Sequence, residues 1–295
     1  MSVTRPLSFC RYTFMKILLT GANGQLGQAL QAVLVQDELV VCDHRQLDIT
    51  QLDPVRGAVQ TSCPDLVVNA AAYNNVDGAE SDPLVAYRGN ALGPRNLAVA
   101  TAAVGIPLLH VSTDYVFDGA STRPYHEFDR PQPLSVYAAS KLAGEEVVRS
   151  LNPKHYLVRT AWLYSIVGRN FAKTICALAQ QQTEVRVVND QVGSPTYVPH
   201  LAAAIATLVH TEAYGTYHLT NQGAVSWYEL TCALYRQLAL ATPVRPITTL
   251  ELPRPAKRPA YSVLTTIQDP MILLPPWEEG VAAFAKAVRE GKRNE

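Results

Sequence analysis

The chain has 295 residues, 48% of them hydrophobic and 17% charged, which supplies a full core and excludes a disordered or low-complexity protein. Basic and acidic side chains number 25 each, so the formal net charge is zero. That balance leaves no electrostatic footprint for DNA or RNA and no polybasic anchor for an anionic membrane.

Residues 1–14, MSVTRPLSFCRYTF, hold two arginines but no apolar run of signal-peptide length. They are expected to be a disordered extension, or the product of a start assigned too early. No stretch reaches the roughly 18–20 apolar residues of a membrane span, so a cytoplasmic protein is expected. Cys10, Cys42, Cys63, Cys176 and Cys232 are scattered without a C-x-x-C, which argues against a disulfide framework and structural zinc.

Lys16–Thr20 predicts a first strand ending in a glycine-rich turn. Leu26, Leu30, Val33 and Leu34 recur at helical spacing. Leu39–Cys42 and Leu66–Ala70 predict the second and third strands. Pro83 suits the first turn of a helix that runs on towards Ala103. Leu108–Ser112 predicts a fourth strand, Ser135 to about Ser150 a helix, and Tyr156–Arg159 a fifth strand. Short two-sided apolar strands alternating with amphipathic helices predict a doubly wound α/β fold, a Rossmann-type parallel sheet, over residues 15–160. Beyond Trp162, helices are expected near Ala172–Gln180, Leu201–His210 and Trp227–Ala239, with strands at Val185–Val188 and Tyr217–Thr220. Residues 161–295 are read as a smaller, mainly substrate-binding lobe with some segments returning to the sheet.

Gly21, Gly24 and Gly27 stand as G-x-x-G-x-x-G between the first strand and the first helix. Glycine permits a tight turn and the close approach of a pyrophosphate, and the helix N-terminus adds free N–H groups. The spacing differs by one residue from the common dinucleotide fingerprint. Asp43 stands where the acidic ribose ligand is expected, roughly twenty residues on. Arg45 is suited instead to a 2′-phosphate, so NADPH and NADH both stay open. Asp48 and Ile49 stand where the next loop lines an adenine.

Tyr137 and Lys141 form Y-x-x-x-K, an i, i+4 pair on one helix face. A lysine cation beside a phenol favours the phenolate and lowers its pKa, which suits proton transfer to a carbonyl oxygen. The fourth strand ends at Ser112-Thr113-Asp114-Tyr115. Strand alternation sends Ser112 and Thr113 to opposite faces, and Thr113 is taken as the hydroxyl beside Tyr137.

These segments, with NAAAY at 69–73, STDYVFDG at 112–119 and NDQVGSPTYV at 189–198, resemble the extended short-chain dehydrogenase/reductases. Over about residues 15–265 the sequence is similar to their dTDP-4-dehydrorhamnose reductase branch. The resemblance implies NAD(P)H-dependent reduction of the C4 ketone of dTDP-4-dehydro-L-rhamnose to dTDP-L-rhamnose, a donor for cell-surface polysaccharide. It implies Tyr137 as proton donor, Lys141 as its partner and Thr113 as a tuning hydroxyl. Asn23, Gly24, Gln25, Leu26, Asp48, Ile49, Ala70, Ala71, Ala72 and Tyr73, with Tyr137 and Lys141, would hold the dinucleotide. Thr113, Asp114, Tyr115 and Trp162 would meet the dTDP-sugar. Arg258, in a basic cluster with Arg254 and Lys257, would meet its diphosphate. Some members form dimers bridged by magnesium on glutamates; the corresponding places, near Ala29 and Pro199, carry no carboxylate here. A monomer or a metal-free homodimer is therefore expected. Thr265-Thr266 also depart from the branch's usual continuation. Two other readings share the scaffold: a nucleotide-sugar epimerase or dehydratase, and a non-catalytic subunit like the regulatory subunit of methionine adenosyltransferase. Tyr115 directly after Asp114 weighs against a dehydratase, and the intact Tyr137/Lys141 pair favours an enzyme.

Overall fold

The computed structural model describes residues 14–291; the extension expected at the N-terminus lies outside them except for Phe14. The strands are β1 (Lys16–Thr20), β2 (Glu38–Cys42), β3 (Leu66–Asn69), β4 (Leu108–Thr113), β5 (His155–Thr160), β6 (Leu163–Tyr164), β7 (Val185–Val188), β8 (Val192–Gly193), β9 (Thr196–Tyr197), β10 (Gly215–His218), β11 (Val225–Ser226) and β12 (Val244–Ile247). The α-helices are α1 (Gln25–Val33), α2 (Leu52–Ser62), α3 (Val76–Ser81), α4 (Pro83–Tyr87), α5 (Gly93–Val104), α6 (Val136–Leu151), α7 (Phe171–Gln181), α8 (Val198–Leu208), α9 (Trp227–Leu238) and α10 (Trp277–Gly291).

A six-stranded parallel sheet is ordered β10-β5-β4-β3-β1-β2. Each of its inner strands alternates apolar side chains onto two covered faces. Ile17, Leu19, Val68, Leu109 and Val158 pack with Leu26 and Leu30 of α1 and Leu201 and Ile205 of α8. Leu18, Val67, Leu108 and Leu157 pack on the other face with Val55 and Val59 of α2, Leu97 of α5 and Val148 of α6. Full burial of such side chains stabilises by about 1.5–3 kcal/mol each, which is why the near-continuous apolar runs become central strands. This is the doubly wound fold that the alternating pattern predicts.

The second lobe joins three small sheets, β7 with β12, β8 with β11 and β6 with β9. Tyr164, Ile175, Leu230, Leu234, Val281 and Phe284 close its own core. The late strand falls at Gly215–His218, two residues before its expected place, and pairs with β5 in the main sheet. Helices α2 and α10 carry no expectation from the sequence. In α2 only Val55 and Val59 are buried, one i, i+4 pair, too thin a stripe to read as a period.

Candidate active site

The chain leaves β1 through Gly21 at φ +72°. A Cβ there would stand 2.5 Å from the Ala71 nitrogen, so only glycine lets the turn lie against the exit of β3. Gly24 is the N-cap of α1 and has no side chain to occupy the first-turn N–H groups. Gly27 faces back onto Gly21 and Ala22, where a Cβ would collide with backbone. Sheet order places this turn between β1 and β3, where the chain reverses direction across the sheet and α/β proteins bind ligands.

A cavity of about 560 Å³ opens there. Gly21, Asn23, Gly24, Asp43, Asp48, Ile49, Ala70, Ala71, Ala72 and Tyr73 line it. A turn that only glycine can make, unpaired helix N–H groups and a largely apolar slot ending at a carboxylate fit a dinucleotide. Gly27, Tyr137 and Lys141, also expected to hold the cofactor, are not in its lining, and three further expected side chains stand elsewhere. Leu26 is buried in the core under α1. The Gln25 amide oxygen accepts from Ser165 Oγ at 3.0 Å and from Asn170 Nδ2 at 2.9 Å. Helical rotation explains both, because the first turn presents N–H groups rather than side chains to an anion. Arg45 is exposed beside the cavity, and its backbone N–H donates to Asp43 Oδ1 at 2.9 Å. Its neighbour His44 lines the wall instead. Asp43 also accepts from Asn23 Nδ2 at 2.9 Å, which ties the phosphate turn to the end of β2.

Helix α6 starts at Ser135, whose Oγ accepts from Ala138 N. Glu80 of α3 accepts from Val136 N at 2.8 Å. Tyr137 and Lys141 share the buried face of the helix. The Tyr137 phenol stands beside the Thr113 side chain, which favours its ionised form. Thr113 Oγ1 donates to Asp114 Oδ1 at 3.1 Å, and Ser262 Oγ donates to Asp114 Oδ2 at 2.6 Å. Ser112, as alternation requires, points away and donates to Glu145 at 2.6 Å. Burial pushes the Asp114 carboxyl up to about 7, against the pull of its hydrogen bonds.

The lysine does not acidify the phenol in this state. Its Nζ donates to the Val111 carbonyl at 2.6 Å. Burial, with the Asp114 charge second, raises the Tyr137 pKa above its ordinary value. Burial also lowers Lys141 to about 8, opposed by Glu145.

Arg258 does not stand free for a diphosphate. Its guanidinium forks onto Asp77, with both bonds at 3.0 Å, and stands near the Tyr115 hydroxyl. Arg254 reaches the same carboxylate at 3.4 Å. Trp162, at φ +48°, stacks on Trp227 with ring centroids 3.4 Å apart and planes 5° apart. Its other face lies over Gly193, where a Cβ would fall 2.5, 2.7 and 2.8 Å from three ring atoms. Protein covers both faces, so only the ring edge is left to a ligand.

Motif reading missed Arg88, Gly89 and Asn90. They lie on a single π-helical turn, Arg88–Leu92, between α4 and α5. Arg88 and Gly89 line the cavity. Buried Asn90 accepts from Tyr73 N at 2.8 Å and donates to Tyr73 O and Ser140 Oγ, both at 3.0 Å. It thereby ties the cavity wall to α6. A π-turn inserts a residue and breaks the 3.6 period, the one signal that would have marked this face.

Sheet order, switch-point cradle and tyrosine–lysine helix together define the extended short-chain dehydrogenase/reductase class, the NAD(P)H-dependent oxidoreductases, and the chain is one of them. A family model described as the RmlD substrate binding domain matches residues 15–290. A dTDP-4-dehydrorhamnose reductase of Mycobacterium tuberculosis is 42% identical over 283 residues, 92% of each chain. A crystal structure of a dTDP-4-dehydrorhamnose reductase from Clostridium acetobutylicum superposes with TM-score 0.91 at 42% identity, over 93% of this chain and 100% of that one. Another, from Bacillus anthracis in complex with NADP, superposes with TM-score 0.91 at 41% identity over the same shares. The chain belongs to the dTDP-4-dehydrorhamnose reductase family.

Proposed function

We propose that the protein reduces the C4 ketone of dTDP-4-dehydro-L-rhamnose to dTDP-L-rhamnose. The observation that carries this is the buried Tyr137–Thr113–Asp114 cluster at the C-terminal end of β4, beside the dinucleotide cavity. NAD(P)H, when bound, supplies the hydride. Tyr137 holds the proton that the ketone oxygen takes up. Its raised pKa suits the resting state, since a donor must carry its proton at neutral pH. Thr113 orients the phenol, and the Lys141 cation stabilises the phenolate as it forms. The Val111 carbonyl holds that cation in place. Asp114, Tyr115 and the edge of Trp162 meet the sugar nucleotide. Arg258 meets its diphosphate only by exchanging Asp77 for it.

Asp43 at the ribose end and Arg45 beside it support the use of both NADH and NADPH. Among the described residues no helix is long and apolar enough to cross a membrane, which supports work in the cytoplasm. Ala29 and Pro199 lie on α1 and α8, which pack on each other within the chain; lacking carboxylates there, the protein is proposed to be a monomer or a metal-free pair. The test follows NAD(P)H absorbance with dTDP-4-dehydro-L-rhamnose and identifies the product by NMR. Cofactor oxidation with the L-rhamno product is expected; product formed without added reductant would overturn the reading.

A further inference from the structure

Lys141 is only 3% exposed, and a cation in such a place tends to give up its proton. Its Nζ donates to the Val111 carbonyl at 2.6 Å. The next residue of β4, Ser112, donates to Glu145 Oε1, also at 2.6 Å. Successive residues of one strand, about 3.3 Å apart along it, thus hold the ammonium and the carboxylate. Helix α6 sets the two side chains on its buried face as an i, i+4 pair. Glu145 is clamped from β5 as well: Arg159 Nε donates to Oε1 at 2.9 Å and Nη2 to Oε2 at 2.6 Å. Arg159 is in register with Ser112 on one side and His218 on the other, and its Nη1 stands 3.4 Å from His218 Nε2. One buried carboxylate therefore serves two buried cations, and Arg149 reaches it from the surface at 3.6 Å. The other titratable groups around Lys141 are Tyr137 and His110. Burial, with the Lys141 charge second, holds His110 of β4 well below its ordinary value and so neutral. Asp114 acts on Tyr137, whereas Glu145 is the carboxylate that acts on the lysine.

We infer that Glu145 is a positioning residue of the active site: clamped by Arg159 and Ser112, its carboxylate keeps Lys141 an ammonium ion on the Val111 carbonyl, ready for the phenolate. A pair that served only to pack α6 against β5 would leave the lysine indifferent to the charge on residue 145. The inference deepens the reductase reading above and rests on it for the phenolate step.

The test has two readouts. One is an NMR titration of the Lys141 Cε signal in protein labelled with carbon-13 lysine, the signal being identified by its loss in Lys141→Met. The other is the pH profile of kcat. The wild type is expected to titrate at about 8, with the alkaline limb of kcat at the same pH. Without the carboxylate the charged lysine loses its stabilisation, so Glu145→Gln is expected to move both to lower pH, by about one pH unit. Glu145→Asp keeps the charge and is expected to restore both. If Glu145→Gln does not fold, Glu145→Gln/Arg159→Met removes carboxylate and guanidinium together, leaves no buried charge unpaired, and is expected to move the midpoint the same way. An unchanged Lys141 midpoint in a folded variant overturns the inference, and so does a moved midpoint beside an unmoved limb. A wild type that does not reduce the ketone removes the reductase reading, whereas the titration, which needs no substrate, still decides whether Glu145 keeps the lysine charged.

Discussion

Tyr137 has to keep a proton in the resting enzyme and release it when the ketone oxygen turns basic. Burial meets the first demand, and the lysine one helical turn along meets the second. Tyr137→Phe removes only the hydroxyl, so cofactor affinity is expected to stay within about twofold while kcat falls by about 10²–10⁴. Stopped-flow binding with steady-state assays checks both halves. Asp114 gives a pH signature of its own. Tyr137 of α6, Thr113 and Tyr115 of the β4 exit, and Ser262 face it, with Arg258 behind Tyr115. Its pKa is raised in the fold to about 7, so the folded state binds its proton more tightly than the unfolded chain. That stability is fully present below the unfolded value near 4 and is lost as pH rises through about 7. Asp114→Asn carries no such dependence. Its stability relative to the wild type, from urea melts, is expected to climb by a few kcal/mol between pH 4 and 7; a flat difference would contradict the assignment.

At the scale of elements, α6 is fixed by charge at its start and along its buried side. Glu80 caps its start, and Glu145 on its buried side holds Arg159 of β5 with a shortest contact of 2.6 Å. Burial alone would raise the Glu145 carboxyl, yet the Arg159 hydrogen bonds and charge hold it below the usual range. Glu145→Gln leaves a buried guanidinium without its counter-charge, and a loss of about 3–5 kcal/mol is expected in chemical denaturation. Helix α3 acts on a distant loop as well. Asp77 grips Arg254, Arg258 and the Ala256 N–H, so a six-residue helix packed on α4 and α6 anchors the loop that leads to Ser262. The π-turn before α5 works similarly, because Asn90 gives the Tyr73 loop the two backbone bonds it lacks locally.

Across the whole molecule, chain order and spatial order part company. Helix α8 and strand β10 come late in the sequence yet complete the first lobe, one covering the sheet face at Ile17, Leu19 and Val158 and the other its β5 edge. A fragment of residues 15–160 therefore leaves an apolar face and an apolar edge strand exposed. It is expected to show no cooperative urea transition by circular dichroism, whereas the full chain unfolds cooperatively. Gln25 adds a second tie between the lobes through Ser165 and Asn170, which sets the phosphate turn against the start of the substrate lobe.

The strands of the sheet, the glycine turn and the Tyr137/Lys141 face were legible in the chain because each depends on spacing within one element: a period of two, a run of glycines, one turn of helix. The Asp77–Arg258 fork, the Trp162–Trp227 stack and the Asn90 bridge were not. Each joins residues far apart in the chain, and no local rule orders them. Which charge Arg258 meets, which face of Trp162 is free and whether a hydroxyl finds a partner are settled by packing, when desolvation forces every buried polar group to find a partner or bear the cost of lacking one.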